Sequence, residues 1–426
     1  MTSKLRATFA CVVLAASFAT LVGCSLLDPA REKDKLVVAP PAPIEPQLAA
    51  PIDTHRFEID PETDDVVGAV QVTIASKEDT LPDIARRFNI GYEEIVRANP
   101  GVDPWLPGAG KEIVVPTQFI LPNAPRQGVV INVAAMRIWY FPAPVKVKGK
   151  TVKRLPGEKQ VVFTHPIGVG KVGWRTPEGV TKIVSRQKDP TWRPSAAVRK
   201  EHAENNDPIP AVIGPGPDNP LGKYKFTLGW PSYLIHGTNK PYGVGLRSSH
   251  GCIRLYPEDI EKFFAAIPIG TSVRVVNQPF LFGWHNDQLY LQAYTVLEDD
   301  PRDWKKSQQK LLSKSFAQRI QKELEARGEK IDWERVAALA HDPRGVPVSI
   351  SSSDATLEAI LAAAPRVANR VPEGSNWDGG GVQAAAGEDD LKQMVEERDP
   401  DAAASAASAG PVEPPPEKTT KNTPRT

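Results

Sequence analysis

Between residues 126 and 277 the chain is written in short apolar runs broken at close intervals by Gly and Pro. That spacing leaves no room for long helices and commits the region to sheet. Gly128 to Val133 and Met136 to Phe141 read as the two strands of a hairpin, and Gln160 to Gly170 as a third strand. Thr176 to Gly179 supplies a turn, and Ser232 to Ile235 is a strand running straight into His236. The expected fold is mainly β, a sandwich or barrel-like sheet, with smaller units on either side.

The preceding unit, 67–118, has a different rhythm. Val70 to Ile74 alternates like a strand, Asp79-Thr80-Leu81-Pro82 carries the cap and proline of a helix start, and a second helix over about Tyr92 to Arg97 ends at Asn99-Pro100-Gly101. Lys111 to Pro116 reads as a closing strand, which gives the order β-α-α-β. Downstream, 278–300 predicts a further hairpin around Trp284 to Asp287. Across 301–370 the pattern turns helical: Trp304, Leu312, Phe316, Ile320 and Leu324 recur at mostly four-residue spacing, and Gly328 marks a stop. Two shorter helices are expected near Asp332 to Ala340 and Ser353 to Ala364. Residues 371–426, rich in Gly, Ala and Pro, read as a disordered tail.

Residues 1–24 read as an export segment. Lys4 and Arg6 precede an uncharged apolar run, and Leu21-Val22-Gly23-Cys24 is a small-residue cleavage site. This segment resembles a bacterial lipoprotein signal, which implies a lipidated Cys24 at the mature N-terminus. With Ser25 following that cysteine, the resemblance implies a periplasmic protein held by lipid to the outer membrane. Residues 25–66, rich in Pro and Ala, are expected to form a semi-extended linker, of which roughly 25 to 30 residues at about 3.1 Å each would reach on the order of 80 Å. Of the three cysteines, Cys11 lies in the segment removed and Cys24 becomes a thioether, so Cys252 alone remains a free thiol. An unpaired thiol in an oxidising compartment calls for a chemical reason. The formal net charge of +1 and the lack of any basic run give no argument for a nucleic-acid partner.

Cys252 stands in the run Ser248-Ser249-His250-Gly251-Cys252-Ile253-Arg254, sixteen positions after His236-Gly237-Thr238-Asn239. A thiol attacks a carbonyl as its thiolate, so a neighbouring base must take the proton. His236 meets Cys252 if the intervening loop turns back, which Gly237, Gly243 and Gly245 ease. The resulting oxyanion needs backbone N–H donors, and the amides of Gly251 and Cys252 are the candidates. From spacing alone His250 is either a hydrogen-bonding post or the base itself. A zinc site built on His236, His250 and Cys252 falls short of the four ligands a structural site uses. No metal and no cofactor is expected. Trp192, Trp230 and Tyr233 read as core or groove walls, and His165 as a core or surface residue.

His-Gly-Thr-Asn followed by Ser-His-Gly-Cys-Ile-Arg-Leu resembles the signature of YkuD-type L,D-transpeptidases, in the enterobacterial-like branch of the family that carries a LysM peptidoglycan-binding module in front. The resemblance spans about residues 68–300 and includes Asn99 to Pro104 and Asp218 to Gly222; 67–118 resembles the LysM module itself, with Glu78 where a Gly is usual. It implies that Cys252 is the nucleophile, His236 its base, and the Gly237 carbonyl the group that orients the base. It places the oxyanion pocket around His250, Gly251 and Cys252. Many members carry Asn at the position of Arg254, and here Arg254, with Ser249, is the expected substrate contact, the guanidinium suiting a carboxylate. The implied reaction acylates Cys252 with a peptidoglycan tetrapeptide stem, releases D-Ala and passes the acyl group to an amine, of another stem or of an outer-membrane lipoprotein lysine. Alternatives are a thiol hydrolase that cuts such links and a non-enzymatic peptidoglycan anchor, the latter disfavoured by the joint presence of Cys252 and His236.

Overall fold

The computed structural model describes residues 48–371 apart from 145, 148–149, 152–156, 305–319, 329 and 352–354. Cys24, the signal, most of the expected linker and the tail lie outside the described residues, as do Leu312 and Phe316 of the helical pattern. The sheet-rich body is a nine-stranded sheet in the order Arg56–Ile59, Gln160–Pro166, Arg137–Phe141, Gly128–Asn132, Ser272–Val276, Gly179–Lys188, Tyr224–Leu228, Leu234–His236, Ile253–Arg254. The long strand Gly179–Lys188 serves two neighbours: its first half pairs with Ser272–Val276 and the rest with Tyr224–Leu228, and the register shifts between Ile183 and Ser185. Tyr224–Leu228 alternates buried and part-exposed residues, the period-two pattern of a strand with one face in a core. That core gathers Val129, Ile131, Ile183, Phe226, Ile235 and Ile253, and Ile260 and Phe263 of helix Pro257–Ala266 pack on it.

The expected linker 25–66 is folded from Leu48 onward. Arg56–Ile59 forms an edge strand beside Gln160–Pro166, and Val66–Gly68 pairs with Gln118–Ile120. The apolar residues Ile59, Val66 and Val67, each buried, gave this stretch a reason to fold that its proline content masked.

The β-α-α-β unit is present as Gln71–Ile74, Leu81–Arg87, Tyr92–Ala98 and Glu112–Val115. Thr80 caps the first helix reciprocally: Thr80 Oγ1 accepts from the Asp83 amide, and the Asp83 carboxylate accepts from the Thr80 amide. A third strand joins this small sheet from far downstream. Arg366–Val367 runs parallel to Gln71–Ile74, Thr73 Oγ1 donates to the Val367 carbonyl at 2.9 Å, and Asn369 donates to Ile74 O and Asp79.

The unit is docked on the larger sheet by buried charge. Arg137, fully buried, donates to both oxygens of Glu94 at 2.9 and 3.0 Å and lies 4.0 Å from the Phe119 ring. Arg86 makes a two-pronged bond to Glu258, both arms 2.8 Å. His165 is a core residue, buried at this seam with Nδ1 3.0 Å from Asp259 Oδ1 and 2.9 Å from Asn89 Oδ1. The predicted hairpin Phe280–His285 and Gln288–Ala293 turns at Asn286 and Asp287, both at positive φ. Val348–Ser349 adds a third strand, and helices Gln321–Arg327, ending on left-handed Gly328, and Trp333–His341 supply Leu324 and Val336 to the core of this extension. Helix Leu357–Ala363 packs instead on Val70 and Val72 of the small sheet.

Candidate active site

The site forms where two short parallel strands lie side by side. Ile235 pairs with Ile253 and His236 with Arg254, so His236 ends one strand and Cys252 immediately precedes the other. The fold thus brings the two together despite the fifteen residues between them. His236 is 3% exposed, and its Nδ1 lies 2.6 Å from the Gly237 carbonyl. A carbonyl only accepts, so Nδ1 carries the proton and the lone pair is left on Nε2. Burial, together with the Arg254 charge and against the pull of the Gly237 bond, holds the His236 imidazole down to about 3, and it is neutral at ordinary pH. Cys252 is partly accessible, with Sγ 3.6 Å from the Ser232 carbonyl. Burial pushes its thiol up, against the opposing effects of a backbone hydrogen bond and the Arg254 charge. The resting pair is therefore thiol and imidazole rather than thiolate and imidazolium.

The turn before Cys252 is locked from inside. Gly251 has φ +97°, and a Cβ there would come within 2.9 Å of the Tyr233 ring. Ser249, expected to meet substrate, is 1% exposed and spends its hydroxyl in the turn: Oγ donates to the Cys252 carbonyl at 2.6 Å and accepts the Gly251 amide at 3.1 Å. The Gly251 N–H, one of the two expected oxyanion donors, is thus occupied in this state. Thr176 Oγ1 donates to the Gly251 carbonyl at 3.0 Å and accepts the Gly170 amide. Arg254 Nη1 donates to Ser248 Oγ at 3.2 Å, while its buried Nε has no hydrogen-bond partner among the described residues. The walls include Trp230 and Tyr233, whose rings meet edge to face.

His250 is bonded to a different set of groups. Its Nε2 lies 2.8 Å from Glu201 Oε2, its ring is met at right angles by Trp174, and Lys171 Nζ bonds the other Glu201 oxygen. Glu201, Lys171, Trp174 and Thr176 were not legible as site residues. Glu201 stands 49 positions before His250, on a helix, Ala196–Glu204, that sequence reading did not predict. Among the described residues no group of three His, Cys, Asp or Glu side chains is placed to hold a metal ion.

A reachable thiol beside a buried neutral imidazole, at the end of a twisted sheet, defines a protein able to carry out thiol acyl transfer. Comparison with known proteins narrows this class. Residues 126–275 match the model of the YkuD L,D-transpeptidase catalytic domain, and 75–116 that of the LysM domain. The chain is 36% identical over 301 residues to "Probable L,D-transpeptidase ErfK/SrfK" of Salmonella typhimurium, covering 70% of this chain and 91% of that one. It is 37% identical over 237 residues to the Escherichia coli protein named for YcfS, and 41% over 217 residues to that named for YbiS. These cover 54% and 50% of this chain, and 70% and 66% of theirs. The chain belongs to the L,D-transpeptidase family and is an enzyme of peptidoglycan with a LysM domain.

Proposed function

We propose that the enzyme acylates Cys252 with a tetrapeptide stem and passes the acyl group to an amine. The observation that carries this is the His236 Nδ1 bond to Gly237 O, which leaves Nε2 as a base on the strand beside the nucleophile. Cys252 Sγ attacks the carbonyl of the L-centre of meso-diaminopimelate, and its proton passes to His236 Nε2. Backbone amides at the Cys252 turn stabilise the oxyanion. Collapse breaks the amide bond, His236 returns the proton to the departing D-Ala amine, and a thioester remains. An acceptor amine then attacks the thioester, loses its proton through His236, and frees the thiol. The acceptor is a lysine of an outer-membrane lipoprotein or the amine of another stem. Arg254, half-buried with a spare donor, holds a stem carboxylate. Lipidation at Cys24 tethers the enzyme in the periplasm, facing the wall from the outer membrane.

Mass spectrometry of the full chain with a tetrapeptide-stem substrate or a carbapenem tests the first half. The wild type is expected to gain an acyl adduct that Cys252→Ala and His236→Ala lose, and an adduct that persists in Cys252→Ala rules the mechanism out. Products formed with and without a lysine-ended peptide separate linking, cross-linking and hydrolysis. Loss of lipid labelling in Cys24→Ala checks the anchor.

A further inference from the structure

Helix Ala196–Glu204 lies in the segment joining strands Gly179–Lys188 and Tyr224–Leu228, and Val198 is its one buried residue. So little apolar contact does not fix a nine-residue helix in place. Its attachment is polar. Glu201 binds Lys171 through one carboxylate oxygen and His250 Nε2 through the other, and its side chain is 25% exposed. Lys171 is in turn fastened to the nucleophile turn, since its amide donates to the Ser249 carbonyl at 2.9 Å. The amide of Trp174, whose ring abuts His250, donates to Lys171 O. The contacts close a ring from Ser249 through Lys171 and Glu201 to His250, the residue next to Ser249.

The ring also sets the His250 tautomer. Burial raises the Glu201 carboxyl, but the Lys171 bond and charge, with His250, outweigh it and hold it below its ordinary value. An ionised carboxylate only accepts, so His250 Nε2 carries a proton. Burial and the Lys171 charge lower His250, the Glu201 carboxylate opposes them, and Arg254 adds to the lowering. His202, its Nδ1 paired with Asp207, also stands beside the ring, 5.8 Å from His250.

We propose that Glu201 is a positioning residue for acylation of Cys252: with Lys171 it fixes His250 and so holds the turn Ser249 to Cys252 in the geometry that receives the oxyanion. The inference rests on the acyl-transfer reading above, and the experiment separates the two. In the full chain, Glu201→Gln keeps the shape and removes the charge. Its rate of acylation by a carbapenem is expected to fall about tenfold to a hundredfold. In histidine-labelled protein, the nitrogen-15 signals of His250 should shift from the wild-type Nε2–H values, since an amide can pair with either tautomer where the carboxylate pairs only with Nε2–H. A Glu201→Gln/His250→Asn double variant should be no slower than His250→Asn alone. Glu201→Asp, which retains the carboxylate, should recover part of the lost rate and guards against a variant that does not fold. An unchanged rate, an unchanged His250 signature, or losses that multiply in the double variant each overturn the proposal. If the wild type itself gains no adduct, the acyl-transfer reading fails, and the His250 signature still reports on the ring.

Discussion

His236 donates its Nδ1 proton to the carbonyl of Gly237, its neighbour in sequence, at 2.6 Å. The bond is made within the strand end itself, so the base is oriented by the backbone and needs no third side chain. With the imidazole held at about 3 by burial and the Arg254 charge, the base stays unprotonated through mildly acidic pH. The rate of Cys252 acylation should lose nothing to His236 protonation between pH 7 and 5, as a pH–rate profile with a carbapenem would show. His236→Gln should slow it by about a hundredfold or more.

The same burial predicts how stability depends on pH. The folded-state value of His236 lies below the ordinary 6.5, so between that pH and about 3 the unfolded chain binds a proton that the folded one refuses. Stability contributed this way is full above pH 6.5 and is lost as pH falls. Melting temperatures from pH 7 to 4 should fall less steeply for His236→Gln than for the wild type.

Ser249→Ala should cost about 1–3 kcal/mol, because it strips the buried Gly251 amide of its partner and removes the donor to the Cys252 carbonyl. Urea titration measures the loss. Acylation should slow as well, since the turn that presents the thiol is no longer pinned from within.

Arg137→Met should destabilise the protein by about 3–5 kcal/mol by leaving Glu94 buried without its partner. Pairing it with Glu94→Leu should recover most of that loss. Denaturant midpoints of the two variants decide the matter, and equal midpoints would mean the charge pair does not hold the LysM unit to the catalytic sheet.

Gly245 and Gly270 offer a matched pair. Both sit at positive φ, +85° and +89°, but a Cβ on Gly245 would lie 2.2 Å from the Tyr92 amide nitrogen while Gly270 faces open space. Tyr92 and Glu93, at the start of the second LysM helix, donate to the carbonyls of Val244 and Gly245 in the loop between base and nucleophile. Gly270→Ala should cost the backbone strain alone, about 1–3 kcal/mol. Gly245→Ala should cost more in thermal stability and also slow acylation.

What sequence revealed followed the range of its signals. Period-two runs and Gly-Pro punctuation located the 128–141 and 280–293 hairpins, and capping residues located the LysM helices, because those cues act over a few residues. The placement of His236 against Cys252 was legible through a motif whose two halves share one strand pair. Ser249 was read as a substrate contact because a hydroxyl beside a nucleophile looks the same in sequence whether it faces the cleft or the turn. Glu201 and Lys171 lie 49 and 79 residues before His250, and only the folded sheet places all three together. Strand Arg366–Val367 escaped notice because two residues carry no periodicity.

That last strand has a consequence for how the enzyme is made. The Thr73 hydroxyl finds its carbonyl partner 294 residues later, so the small sheet cannot close until that distant segment arrives. A chain synthesised from its N-terminus has its catalytic strands available well before its LysM sheet is whole. Residues 67–118 alone, grafted onto another protein, would leave behind both the strand that completes the sheet and the Leu357–Ala363 helix that covers Val70 and Val72.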